Sequence, residues 1–216
     1  MMILEIDALE PDIKTIRIAA DALRRGELVI FPTETVYGLA ADATNDEAVK
    51  RVYNAKGRNG GEPLPVQISK VDDLLKVATF VPEPARKLAE LFWPGPLTLV
   101  LQKNPSISDL VTSGRETIGV RISEHPVALA LIKALGSPIV ATSANVSGNE
   151  PPKNALAAIN EVGNEVSVVL DAGESRLGVS STIVDVSNLP PRILRRGTIS
   201  EQEIRDVLGE VETIAK

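Results

Sequence analysis

The sequence predicts an α/β protein, α+β in some schemes, built on a twisted mixed sheet flanked by helices. Three observations carry this. Of its 216 residues 44% are hydrophobic but only 3% are aromatic, so the core must be Val, Ile, Leu and Ala, which suits a sheet covered by helices. Short apolar runs alternate with segments of helical periodicity. Several expected strands also follow one another with no helix between them, which requires antiparallel neighbours within the sheet. No internal repeat, low-complexity tract or linker interrupts the chain, so one domain over 1–216 is expected.

The elements follow in order. Ile3 to Ile6 reads as a strand. Pro11 sits where a first-turn proline would, Ile13, Ile16, Ala20 and Leu23 follow at helical spacing, and Gly26 ends the helix. Leu28 to Phe31 is a short buried-strand run closed by Pro32. The stretch Thr33 to Ala40 fits neither period cleanly. Thr44-x-x-Glu47 has the form of a capping box for a helix through Val49, Val52 and Tyr53 that runs out at Lys56-Gly57-Arg58.

Val66 to Ile68 is an expected strand, and Ser69-x-x-Asp72 is expected to open a short helix. A helix from about Pro84 to Phe92 is stopped by Pro94. Leu97 to Gln102 and Thr117 to Ile122 read as strands, and Pro126 to Leu135 as a helix ended by Gly136. Strand Pro138 to Ala141 leads into Thr142-Ser143-Ala144-Asn145. A helix near Ala155 to Glu161 and strands Val166 to Leu170, Ser181 to Val186 and Arg192 to Arg195 follow. The box Ser200-x-x-Glu203 opens the last helix.

Composition removes several function classes. A formal charge of −6 and a pI near 5.0 argue against a protein that wraps nucleic acid, because phosphate neutralisation needs a basic field. Cysteine is absent and His125 is the only histidine, so zinc sites of the usual ligands and a Ser-His-Asp triad are not expected. His125, just before Pro126, reads as a surface residue. Acidic residues stand where a secretory signal would be basic, and no apolar run reaches membrane-spanning length. A cytoplasmic protein is expected.

What remains is chemistry by positioning and charge neutralisation, the pattern of phosphoryl and nucleotidyl transfer. Three hydroxyl-rich stretches adjoin strand ends: Thr33 with Thr35, Thr142 with Ser143, and Ser180-Ser181-Thr182. Such residues shape turns with their own backbone, yet open sheets also bind ligands at strand ends. Asn145 suits a base or ribose contact, or an Asx turn. Lys56 and Arg58 form either an anion clamp or a solvated pair at a helix end. Arg121 sits in an apolar strand, facing solvent or a partner, and Arg195 ends another, with Arg196 its outward neighbour. No glycine-rich phosphate loop is present, so a nucleotide would be held by side chains.

Phe31-Pro32-Thr33-Glu34-Thr35-Val36-Tyr37-Gly38-Leu39, Lys56-Gly57-Arg58, Trp93-Pro94-Gly95-Pro96-Leu97-Thr98, Ala141 to Gly148, Ser181 to Asp185 and Arg195-x-Gly197 together resemble the YrdC/Sua5 family of threonylcarbamoyl-AMP synthases. The resemblance covers about residues 13 to 198 and is to the short, single-domain form. It implies a YrdC-like fold around a concave, locally positive cavity. It also implies a reaction, in which L-threonine, bicarbonate and ATP give L-threonylcarbamoyladenylate and pyrophosphate, with Mg2+ on the phosphates. A tRNA threonylcarbamoyl transferase would then modify adenosine 37 of tRNA, with at most weak tRNA contact by the synthase itself.

By the same resemblance Lys56 and Arg58 are catalytic and contact ATP and the carboxylated threonine. Thr117, Ser143, Asn145 and Arg195 belong to the ATP site, and Thr35, Arg121, Ser143 and Ser181 to the threonine site. Lys56→Ala would then abolish ATP turnover with little change in melting temperature. Two departures stand out: Glu62 replaces an asparagine in the ATP site and Gln67 a histidine in the threonine site. Gln67 keeps a donor and an acceptor, whereas Glu62 would repel phosphates unless it turns away or meets the metal. These departures leave a paralogue with related carbamoyl-adenylate chemistry, or an RNA-binding module, as the alternatives.

Overall fold

The computed structural model describes residues 1–57 and 61–214. Strand β1 (Met2–Glu5) leads to helix α1 (Ile13–Arg24), then β2 (Leu28–Phe31) and β3 (Gly38–Asp42). Next come α2 (Asp46–Ala55), β4 (Val66–Gln67), α3 (Leu74–Val77), α4 (Glu83–Phe92), β5 (Leu97–Gln102), α5 (Asp109–Thr112) and β6 (Thr117–Arg121). The chain continues through α6 (Pro126–Leu135), β7 (Ile139–Ser143), α7 (Ala155–Val162), β8 (Val166–Asp171), β9 (Thr182–Asp185), β10 (Arg192–Arg195), α8 (Glu201–Leu208) and β11 (Glu212–Thr213).

All these strands join one sheet in the order β1-β8-β2-β3-β7-β4-β6-β5-β9-β10-β11. Parallel pairs such as β4 with β6 and β5 with β9 sit beside antiparallel pairs such as β3 with β7 and β5 with β6. The expected mixed sheet is therefore what the chain forms.

Strand alternation divides the core. Ile30, Leu39, Val140, Val66, Val120 and Leu99 point to one face, packed against α2, α3, α4, α5, α7 and α8. Val29, Phe31, Ala40, Ile139 and Ala141 point to the other, beneath α1 and α6. Those two helices cover the second face only over the half of the sheet from β1 to β7. Past β7 that face carries polar side chains together with Ile183 of β9, and the cavity lies there.

Local signals differ from the sequence reading at four places. Stretch 33–40 resolves into a turn at Thr33–Val36 followed by β3, which alternation hid because β3 is buried on both faces. The α2 cap is Asn45, whose side chain accepts from the backbone N–H groups of Glu47 and Ala48, while the Thr44 hydroxyl turns back to Asp42. The stretch after Ser69 is a single 3-10 turn, Val71–Asp73, running into α3, and Ser69 donates to Asp73 rather than capping. Pro11 precedes the α1 cap, which is Asp12. The box at Ser200 and Glu203 forms as expected.

Candidate active site

The cavity has a volume of about 540 Å³. Its floor is one register row across five strands. Gln67 of β4 stands beside Arg121 of β6, Arg121 beside Thr98 of β5, Thr98 beside Ile183 of β9, and Ile183 beside Arg195 of β10. Side chains at matched register share a face, and all five line the cavity. Gly38, Ala141 and Ser143 continue the wall on β3 and β7. A Cβ at Gly38 would lie 2.6 Å from the Phe31 ring, so the glycine lets that ring pack beneath the wall.

Arg121 is buried and held from three sides. Its Nε donates to the Gly95 carbonyl at 3.2 Å, Nη1 to the Thr35 hydroxyl at 3.0 Å, and Nη2 to Glu34 Oε1 at 2.7 Å. The other Glu34 oxygen accepts from Ser123 at 2.5 Å. Burial pushes the Glu34 carboxyl up, but the Arg121 charge and the two hydrogen bonds outweigh it and hold the group below the usual carboxylate range. A guanidinium has five N–H donors, so two of Arg121's remain for a ligand.

Arg195 stands at the far end of the row. Its Nε and Nη2 donate to the Ser181 carbonyl at 3.1 and 2.9 Å, and Nη2 also reaches the Ser181 hydroxyl at 3.1 Å. That hydroxyl shares a hydrogen with Thr98 at 2.9 Å. Desolvation, followed by the nearby Arg121 cation, presses the Arg195 pKa below its ordinary value, but arginine stays charged. Gly197 makes the approach possible, since a Cβ there would lie 2.4 Å from the Ser180 carbonyl oxygen and from the Thr182 amide nitrogen.

Gln67 is 5% exposed and its Oε1 is buried without a hydrogen-bond partner among the described residues. A buried acceptor left unmatched is costly, and here it adjoins the cavity. The described residues contain no cluster of acidic, histidine or cysteine side chains fit to hold a metal. Glu34 is held by Arg121 and Ser123, and Glu62 is the carboxylate in the cavity lining among the described residues.

Residues 21–197 match the family model Sua5_yciO_yrdC, whose description is telomere recombination. The chain belongs to the Sua5/YciO/YrdC family. Among its relatives in that family, a threonylcarbamoyl-AMP synthase of Pyrococcus abyssi is 45% identical over 91% of this chain and 58% of its own length. One of Bacillus subtilis is 42% identical over 95% of this chain and 60% of its own. The crystal structure of Pyrococcus abyssi Sua5 complexed with L-threonine superposes with a TM-score of 0.95 at 42% identity, over 99% of this chain and 62% of that one. The chain thus spans less than two thirds of the length of these Sua5 relatives.

The residues singled out by family resemblance separate into groups. Thr35, Glu62, Gln67, Arg121, Ser143, Ser181 and Arg195 line the cavity. Thr117 shares the face of β6 that carries Arg121 but is not part of the lining. Lys56 does not line it either. Its side chain is fully buried, and its Nζ donates to the carbonyl oxygens of Ser143 and Asn145 at 2.6 Å each. Its burial excludes the solvated charge at a helix end for Lys56, and the two carbonyl bonds hold its ammonium under the 143–145 backbone. Asn145 is also buried behind the wall, its amide donating to the Val146 and Asn149 carbonyls. Arg58 lies outside the described residues.

The hydroxyl stretches serve both readings at once. Thr33 accepts from the Val36 amide and shapes its own turn, yet it lines the cavity with Thr35 and Thr142. Thr182 instead pairs with the Ile199 backbone, away from the cavity. His125 is half-buried at the surface rather than free there: its Nδ1 caps α6 by accepting from the Val127 amide, and burial lowers its pKa. Sequence reasoning missed Glu34 and Arg115, both in or beside the wall. Glu34 lies in the Thr33-Glu34-Thr35 stretch, but its partner Arg121 is 87 residues away.

Proposed function

We propose that this protein is a threonylcarbamoyl-AMP synthase, a nucleotidyltransferase that joins L-threonine, bicarbonate and ATP. The single observation that carries the reading is the floor row, with a hydrogen-bond-rich arginine beside an unmatched amide at one end and a second arginine at the other. The Arg121 end, with two N–H groups and Gln67 Oε1 to offer, suits a molecule bearing both a carboxylate and hydrogen-bond donors, as an amino acid does. The Arg195 end suits phosphate oxygens. The named activity of the Pyrococcus and Bacillus relatives, and the L-threonine in the Pyrococcus structure, support the same assignment.

The reaction balances as follows. The threonine nitrogen attacks bicarbonate carbon and, with loss of water, gives a carbamate. A carbamate oxygen attacks the α-phosphorus of ATP, the bond to the β-phosphate oxygen breaks, and pyrophosphate departs. Thr35, Arg121, Gln67 and Ser181 hold the amino acid, while Ser143 and Arg195 hold the nucleotide, so the gain comes from positioning two reactants and offsetting charge. Mg2+ would enter with the ATP phosphates, keeping most of its waters and needing few protein ligands, and Glu62, which lines the cavity, would be the carboxylate nearest to hand for it. The product would pass to a tRNA threonylcarbamoyl transferase in the cytoplasm. No described helix is long and apolar enough to cross a membrane.

Incubation with ATP, Mg2+, bicarbonate and L-threonine tests the proposal. Pyrophosphate release is expected only when threonine and bicarbonate are both present, and an adenylate of threonylcarbamate is expected by mass spectrometry. Release that is indifferent to threonine overturns the assignment.

A further inference from the structure

The two floor arginines differ in what neutralises them. Arg121 faces the buried Glu34 carboxylate, which is 3% exposed. Arg195 has only the neutral groups of Ser181 as partners among the described residues. With adjacent strands about 4.8 Å apart, three strand gaps separate the strands that carry them by roughly 14 Å, while the Arg195 side chain reaches back over Ser181 toward Thr98.

Two bare guanidiniums on one floor would offer phosphate two comparable seats, and a triphosphate could occupy the amino-acid end. Building on the synthase reading, we propose that Glu34 is the specificity-determining residue that keeps phosphate out of the Arg121 end of the cavity. Its carboxylate lies on the side of Arg121 away from the cavity, beside Ser123, and cancels the net charge of that end. The two remaining Arg121 N–H groups stay directed and available. An amino acid, which carries no net charge, loses little by this cancellation, whereas a polyanion loses most of its attraction. Arg195 keeps its uncancelled charge, so phosphate is drawn to the β9–β10 end. Glu34 touches no ligand and acts through Arg121.

Competition binding tests this on the unmodified protein. By calorimetry, pyrophosphate is expected to displace ATP and to leave L-threonine binding unchanged. In Glu34→Gln the amide keeps an acceptor for Arg121 and a group for Ser123 but removes the charge. Pyrophosphate should then compete with L-threonine, its apparent affinity at that end rising about tenfold or more. Ser123→Ala, which removes a hydrogen bond but no charge, should keep the unmodified selectivity.

A merely structural Glu34 would lower threonine affinity in Glu34→Gln without any pyrophosphate competition, and that result overturns the proposal. Pyrophosphate displacing threonine from the unmodified protein overturns it too, and this measurement decides the matter if Glu34→Gln does not fold. A protein that binds no L-threonine overturns both this inference and the synthase reading. One that binds L-threonine, with the same pyrophosphate selectivity in Glu34→Gln, overturns this inference alone.

Discussion

The Lys56 ammonium donates to the Ser143 carbonyl oxygen at 2.6 Å across 87 residues of sequence. A second bond of the same length goes to the Asn145 carbonyl, and the Ser147 amide donates back to the Lys56 carbonyl at 3.0 Å. The end of α2 is thereby fastened beneath the 143–147 segment. The lysine orients the wall that Ser143 presents to the cavity.

Lys56→Met should therefore lower stability as well as activity. Two carbonyls lose a charged donor, at about 1–3 kcal/mol each, with about 2–4 °C of melting temperature per kcal/mol for a chain of this size. This reverses the sequence-based expectation of an unchanged melting temperature. Thermal denaturation compared with threonine-dependent pyrophosphate release separates the two.

Gln67→Leu should do the opposite. It removes a buried acceptor that has no partner among the described residues, so the melting temperature should hold or rise slightly. L-threonine binding should weaken by about 1–3 kcal/mol, the cost of a lost hydrogen bond to a matched ligand group. Calorimetric titration with L-threonine and with ATP checks that the loss falls on the amino acid.

Gly197→Ala would force a Cβ against the Ser180 and Thr182 backbone, 2.4 Å away. We expect a destabilisation of about 1–3 kcal/mol together with reduced activity, because the hydroxyl of Ser181 and the guanidinium of Arg195 move with that backbone. Full activity at an unchanged melting temperature would show that the contact relaxes freely.

The pH dependence of stability has a defined sign. Glu34 is held below its ordinary value of 4.5, so in the unfolded chain it binds protons more readily than in the fold. Its contribution is present above pH 4.5 and is lost as pH falls through the lower folded value. His125, lowered by burial, acts in the same direction from its ordinary 6.5 downward. Denaturant titrations should show the unmodified protein losing stability steadily on acidification from about pH 6.5, and Glu34→Gln losing less of it below about pH 4.5.

Much of the fold was legible because local chemistry carried it. Leu97 to Gln102 alternates, Pro94 stops α4, and Ser200 with Glu203 caps α8 as the spacing implies. Strand β3 was not legible, since Gly, Leu and Ala buried on both faces leave no period to read. The candidate site was legible in its hydroxyls and in the arginines that end strands. It was not legible in Lys56 or Glu34, because a charge beside a loop reads as solvated until distant backbone or a distant guanidinium is seen to receive it.

The floor row behaves as a ruler. Its marks are strand spacings of about 4.8 Å, set by backbone hydrogen bonds that no side chain can alter. Changing Gln67, Thr98 or Ile183 rewrites what is recognised at one mark and leaves in place the spacing of the strands that carry the two arginines. New ligand preferences can therefore arise one position at a time, while the span that brings two reactants together is conserved by the sheet itself.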